Sequence, residues 1–159
     1  MEKTVYLRIL NDTLHRKQEA LKMLKELTKQ QEELLKAESF DEEAFNSKMD
    51  EKECYIKKLV ELDNGFELIY QRVKNEIAEC RNELKEEILL MQKLISEITA
   101  LSVDVEVLEK KNRPVLERKI IDKKKKIKEV RLSNQTAASY YKNMTSQVQG
   151  QSYFLDQKK

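Results

Sequence analysis

Three kinds of residue that punctuate a folded chain are nearly missing from this sequence. In 159 residues there are two glycines, one proline and two cysteines, and no tryptophan. Gly and Pro set turns, so a chain with three of them has few turns to make. That excludes the compact α/β and all-β classes. Cys54 and Cys80 have no neighbouring cysteine or histidine, so neither a metal-ligand spacing nor a disulfide framework exists. Two reduced thiols suit a cytosolic compartment. The longest aliphatic run, Ile88 to Met91, is four residues, against about 20 for a membrane-spanning helix. The N-terminus lacks the apolar core of a signal peptide. A soluble, cytoplasmic protein without a membrane span is expected.

The groups that enzymes need are also scarce. The one histidine, His15, sits beside Leu14 on a charged stretch. Two glycines 85 residues apart cannot form a phosphate loop. Glu42-Glu43 and Glu86-Glu87 are adjacent pairs, and neighbours on a helix point about 100° apart. No Glu-x-x-His pair of a di-metal bundle occurs. The expectation is a chain with no catalytic residue, metal or cofactor.

Charge and aliphatic residues are abundant. Charged residues make up 38% and hydrophobic ones 40%, with Lys, Glu, Leu and Ile dominant, which is the composition of long helices. The net charge of +2 hides a division. Residues 38–87 hold 15 acids and 8 bases, net −7, whereas residues 109–131 hold 11 bases and 4 acids, net +7. These stretches can attract one another within or between chains. Lys123 to Lys126 form the densest run, yet four consecutive helical residues spread around the axis. Aromatic residues for base stacking are absent nearby, so nucleic acid is not the expected partner.

Periodicity predicts the architecture. A first helix over 3–36 has the seam Leu7, Leu10, Leu14, Leu21, Leu24 and Leu35, with Lys17, Thr28 and Gln31 in its gaps. Leu27 and Leu34 widen the stripe. Ser39 to Glu42 reads as a capping box opening a second helix over 40–62, with the seam Phe45, Met49, Ile56 and Leu59. Asp63-Asn64-Gly65 leaves two readings open, a turn, which Asn-Gly favours, or a continuous helix, since the 3.5-residue phase runs through it and one Gly costs about 1 kcal/mol. The strongest pattern follows: Phe66, Tyr70, Val73, Ile77, Cys80, Leu84, Glu87, Met91, Leu94, Ile98, Leu101, Val105 and Leu108 alternate steps of four and three. One helix over 66–111 would be on the order of 65 Å long. Pro114 opens a last helix over 114–148, with the seam Leu116, Ile120, Ile127, Val130, Ala137, Tyr141, Met144 and Val148, displaced by one residue. Together these predict an all-α fold. It is one elongated domain over 1–150, an antiparallel bundle of three to four helices with coiled-coil-like packing. Residues 151–159 form a flexible tail.

The last helix has the least self-sufficient seam, and its Tyr and Met suit an interface that re-packs around partners. Ile127, Val130, Ala137, Tyr141, Met144 and Val148 are therefore the candidate partner-binding residues. The arrangement resembles the flagellar export chaperones of the FlgN type. The likeness rests on the first helix with Leu14, Leu21, Leu24 and Leu27, the capped start at Ser39 to Glu42, and Lys52, Ile56 and Leu59. Leu62-Asp63-Asn64-Gly65-Phe66 leading into the long helix, Asn112 after Glu109, and the late tyrosines before Gly150 and Phe154-Leu155-Asp156 complete it. The resemblance implies a chaperone of type III export. Its client would be the C-terminal helix of a hook-associated or filament-cap subunit. The competing expectation is a homodimer or larger homo-oligomer, a coiled-coil adaptor whose seam from Phe66 to Leu108 pairs with itself.

Overall fold

The computed structural model describes residues 2–130, with side chains from 3 to 128. The described residues form three α-helices and no strand: α1 Glu2–Lys36, α2 Glu42–Glu79 and α3 Lys85–Val130. The fold is an all-α bundle, as its composition predicts. Contacts divide the chain into two units. Unit 1 is Met1–Lys25 with Cys54–Asp104, and unit 2 is Glu26–Glu53 with Val105–Lys159.

In unit 1, Lys17 Nζ meets Asp63 Oδ1 at 2.7 Å and Lys3 Nζ meets Cys80 Sγ at 3.0 Å. Residue numbers rise on α1 as they fall on α2, so these helices are antiparallel. Gln18 Nε2 donates to Glu97 Oε2 at 2.6 Å and Lys25 Nζ reaches Asp104 Oδ2 at 2.9 Å. Both pairs span 79 residues and lie seven apart on each helix, so α1 and α3 run parallel in heptad register. Leu7, Leu10, Leu14, Leu21 and Leu24 of α1 are buried, as are Ile56, Leu59 and Val73 of α2 and Met91, Leu94 and Ile98 of α3. Each such side chain contributes roughly 1.5–3 kcal/mol.

Unit 2 has the same directions. Gln31 of α1 meets Lys52 and Phe45 of α2, and Glu32 meets Lys111 of α3 at 3.2 Å. Its core is Leu35, Phe45, Met49, Leu116 and Ile120, with Leu34, Phe40, Val115 and Ile127 packed around it. The rings of Phe40 and Phe45 meet edge to face at 5.7 Å.

Four boundaries differ from expectation. The α2 N-cap is Asp41, not Ser39: its Oδ1 accepts from the Ala44 amide at 3.0 Å. Glu42 is 7% exposed and turned to Lys123 Nζ at 2.9 Å, so it closes no capping box. Next, α2 runs straight through Asn64-Gly65. Gly65 has no positive φ, and nothing lies within 4 Å of a Cβ built on it; the helix absorbs it at about 1 kcal/mol.

The reversal comes at Cys80 to Leu84, inside the supposed long helix. It uses neither glycine nor positive φ, and helix-type bonds link Cys80 N to Glu76 O and Leu84 N to Cys80 O, each at 3.1 Å. The helix expected over 66–111 is therefore the end of α2 and the start of α3.

Finally, Pro114 lies within α3 and starts no new helix. It removes one N–H from the ladder, a local loss. The one-residue displacement of the seam is real. Buried positions Val105, Asn112, Leu116 and Ile120 follow steps of seven, four and four, and two successive fours shift a seam without breaking the helix. Helix beyond 130 and the tail 151–159 lie outside the described residues.

Candidate interaction surface

Polar seam residues of all three helices meet in unit 2. Lys52 is 1% exposed. Its ammonium donates to Gln31 Oε1 at 2.8 Å and to Glu109 Oε1 in a close ion pair. Thr28 Oγ1 also donates to Glu109 Oε1, at 3.4 Å, and Asn112 Nδ2 to the Thr28 carbonyl at 3.1 Å. Gln31 Nε2 completes the layer on the Phe45 carbonyl at 3.4 Å. Burial pushes the Lys52 ammonium below the usual lysine range, and the Glu109 carboxylate opposes it. A layer satisfied from all three helices is a structural device, closed to ligands.

The basic stretch is partly spent within the fold. Lys123 pairs with Glu42, Lys111 with Glu32 and Lys110 with Glu106. Lys119 Nζ donates to the Ala37 carbonyl at 3.2 Å, at the negative end of α1. Hydrogen bonds from Lys111 and then Lys36 hold the Glu32 carboxyl below its ordinary range, against the effect of burial. Glu32 and Glu33 in turn raise the Lys36 ammonium. Lys124, Lys125 and Lys126 are exposed, so the lysine run divides between fold and solvent.

Of the six expected partner-binding residues, Ile127 is half-buried and packs against the unit 2 core. The Val130 side chain, Ala137, Tyr141, Met144 and Val148 lie outside the described residues. Part of the seam from Phe66 to Leu108 is buried within the chain. Val73, Leu84, Met91, Leu94, Ile98 and Val105 are all buried in a single copy, which withdraws them from self-pairing. His15 is exposed. Both cysteines are free thiols, Cys54 exposed and Cys80 half-buried.

The apolar surface that remains lies elsewhere. Among the described residues twelve large hydrophobic side chains are exposed, and ten of them belong to unit 1: Val5, Ile9 and Met23 on α1, Val60, Leu68 and Tyr70 on α2, and Leu89, Leu90, Ile95 and Val103 on α3. Two of these stand where a bundle buries its residues. Tyr70 follows Ile56 by two heptads and Met49 by three, on the seam of α2. Those residues are 6% and 5% exposed, but Tyr70 is 37% exposed. Its ring stacks on Phe66, centroids 5.9 Å apart. On α3, Ile95 precedes Glu109 by two heptads, in the slot that faces α2, and is 45% exposed.

Periodicity alone could not reveal this opening. An apolar seam residue reads the same whether its slot is filled or open, and the reversal at Cys80 to Leu84 carries no Gly or Pro.

Comparison with models of known protein families, with curated proteins and with solved structures finds no match. Among the described residues no helix is long and apolar enough to cross a membrane.

Proposed function

We propose that the protein is a client-binding helical chaperone of the FlgN type, which holds the C-terminal helical segment of a hook–filament junction subunit in the cytoplasm. It would keep that segment from assembling before export. The observation that supports this reading is that ten of the twelve exposed large apolar side chains among the described residues belong to unit 1. Such client ends would form helices in the assembled filament and expose apolar faces before it, and a helix bundle could offer them a groove partner.

The homo-oligomeric adaptor is the alternative reading; six of the thirteen seam positions from Phe66 to Leu108 are buried within one copy. The test is co-expression of the full chain with each hook-associated and filament-cap subunit of its own organism, with and without the C-terminal segment. One-to-one capture of one subunit, lost when that segment is trimmed, is the expected result. A stable self-associated protein that captures none would overturn the proposal.

A further inference from the structure

In unit 2 the side of α3 turned away from the core carries a pattern of its own. Val107, Pro114 and Ile121 stand seven residues apart and are all exposed, Val107 by 58% and Ile121 by 61%. Val107 and Ile121 are the two large hydrophobic side chains that unit 2 leaves in water among the described residues. Steps of seven keep the three in one row along the helix, about 10.5 Å from one to the next. The row ends at exposed Lys128.

Two rows flank it, three and four residues further on, and side chains at those distances are neighbours on a helix surface. One row is Lys110, Glu117 and Lys124, and the other is Lys111, Arg118 and Lys125. All six are exposed, and five of the six are basic. Asp122 and Lys126, also exposed, lie beyond the second row and are of opposite sign. Lys110 and Lys111 are held by Glu106 and Glu32. Arg118, Lys124 and Lys125 pair with no acid among the described residues. An apolar row between charged rows is the arrangement by which one helix of a coiled coil selects another. Here the flanks are of nearly one sign, so their complement is acidic.

Among acidic occupants, a helix fits these rows best. Duplex DNA presents a charge about every 1.7 Å of its axis, whereas the three uncommitted cations straddle a row of aliphatic side chains. No aromatic residue lies among the rows to stack on a base. An anionic bilayer takes a helix whose apolar face is free to enter it, and the apolar face of α3 is spent on the core through Leu116 and Ile120. A second helix meets a seven-residue spacing with its own.

We infer that the outer face of α3 in unit 2 is a docking surface for an acidic amphipathic helix of a partner protein. That helix lays one apolar side chain in seven along Val107, Pro114 and Ile121, and sets carboxylates against Arg118, Lys124 and Lys125. This goes beyond the client-binding reading, which draws on the apolar side chains of unit 1, and stands or falls without it.

The probe is a set of three labelled 28-residue helical peptides with leucine at every seventh position. The positions flanking leucine are Glu in the first, Gln in the second and Lys in the third. Binding to the full chain is followed by fluorescence anisotropy at low ionic strength. The Glu peptide is expected to bind at least tenfold more tightly than the Gln peptide, and the Lys peptide not at all. Added salt should weaken the Glu peptide. Arg118→Gln/Lys125→Gln should weaken it at least tenfold and Ile121→Gln at least threefold, with helix content and thermal midpoint unchanged. Arg72→Gln/Lys74→Gln removes the same charge from exposed sites of unit 1 and should leave binding within twofold.

Equal binding of the Glu and Gln peptides, or a loss in the unit 1 control equal to that in Arg118→Gln/Lys125→Gln, would overturn the inference. So would insensitivity to Ile121→Gln, which would reduce the surface to a bare charge contact. Tighter binding of duplex DNA or of phosphatidylserine vesicles than of the Glu peptide would overturn it in favour of those partners. A dimer in solution that Arg118→Gln/Lys125→Gln dissociates would do the same in favour of a second copy. Capture of a flagellar subunit that survives both face variants would sustain the chaperone reading and leave this surface to be judged by the peptides alone.

Discussion

The ammonium of Lys52, on α2, is the most buried charge among the described residues, and the carboxylate of Glu109, on α3, lies directly against it. Neither tolerates loss of the other. Removing one member of a buried ion pair leaves an uncompensated charge, at a cost of about 3–5 kcal/mol. Lys52→Met should fall near the lower end of that range in urea denaturation, because Glu109 retains 14% side-chain exposure. The double variant Lys52→Met/Glu109→Leu should recover most of the loss. Single and double variants equally unstable would show that the pair is not the source of the effect.

Gly65 offers a gain. It lies within α2 with no positive φ, and a Cβ there meets only open space. Gly65→Ala should therefore stabilise the protein by about 1 kcal/mol, the difference in helix propensity between the two residues. Calorimetry on the full chain checks it, and a lower midpoint would show that α2 needs a flexible point there.

The two candidate caps of α2 should separate cleanly. Asp41→Ala removes the acceptor of the Ala44 amide and should cost about 1 kcal/mol. Ser39→Ala should stay within about 0.5 kcal/mol, the range of a surface change. The reverse order would restore the capping box.

Acid stability should depend on Glu32. Its folded pKa is held below the ordinary value by Lys111 and Lys36. The folded state then binds fewer protons than the unfolded one in the window between the two pKa values, and stability rises with pH there. The contribution is complete above the unfolded value of about 4.3 and disappears as pH falls through the lower, folded one. Glu32→Gln should therefore flatten part of the acid limb in urea titrations at pH 6 and pH 3, narrowing the gap between them. An unchanged gap would place the pH dependence elsewhere.

Much of this fold was legible in the sequence, and the misreadings share a cause. The seam of α1 and its polar gaps at Thr28 and Gln31 were readable because a heptad slot faces inward whatever fills it. Leu27 and Leu34 were readable as a widened stripe for the same reason. The turn was misplaced because Asn-Gly is only a weak preference, which the apolar seam of α2 outweighs, while Cys80 to Leu84 turns without glycine, proline or a positive φ and announces nothing. The phase shift near Pro114 was visible, but its meaning was not: a proline and a stutter produce the same displacement on paper. Periodicity identifies an apolar face without naming what covers it, and that limit hid the exposure of Tyr70.

The polar layer also bears on how the chain finds its fold. Helices with a seven-residue repeat can pair one repeat out of place and still bury an apolar seam. Slid by one repeat along α3, Lys52 would face Ser102 or Leu116 instead of Glu109, and its charge would enter the interior without a counterion. Such slipped states are the natural traps of a bundle this regular. A single lysine raises them above the native pairing, so the landscape keeps one deep basin where leucines alone would leave several.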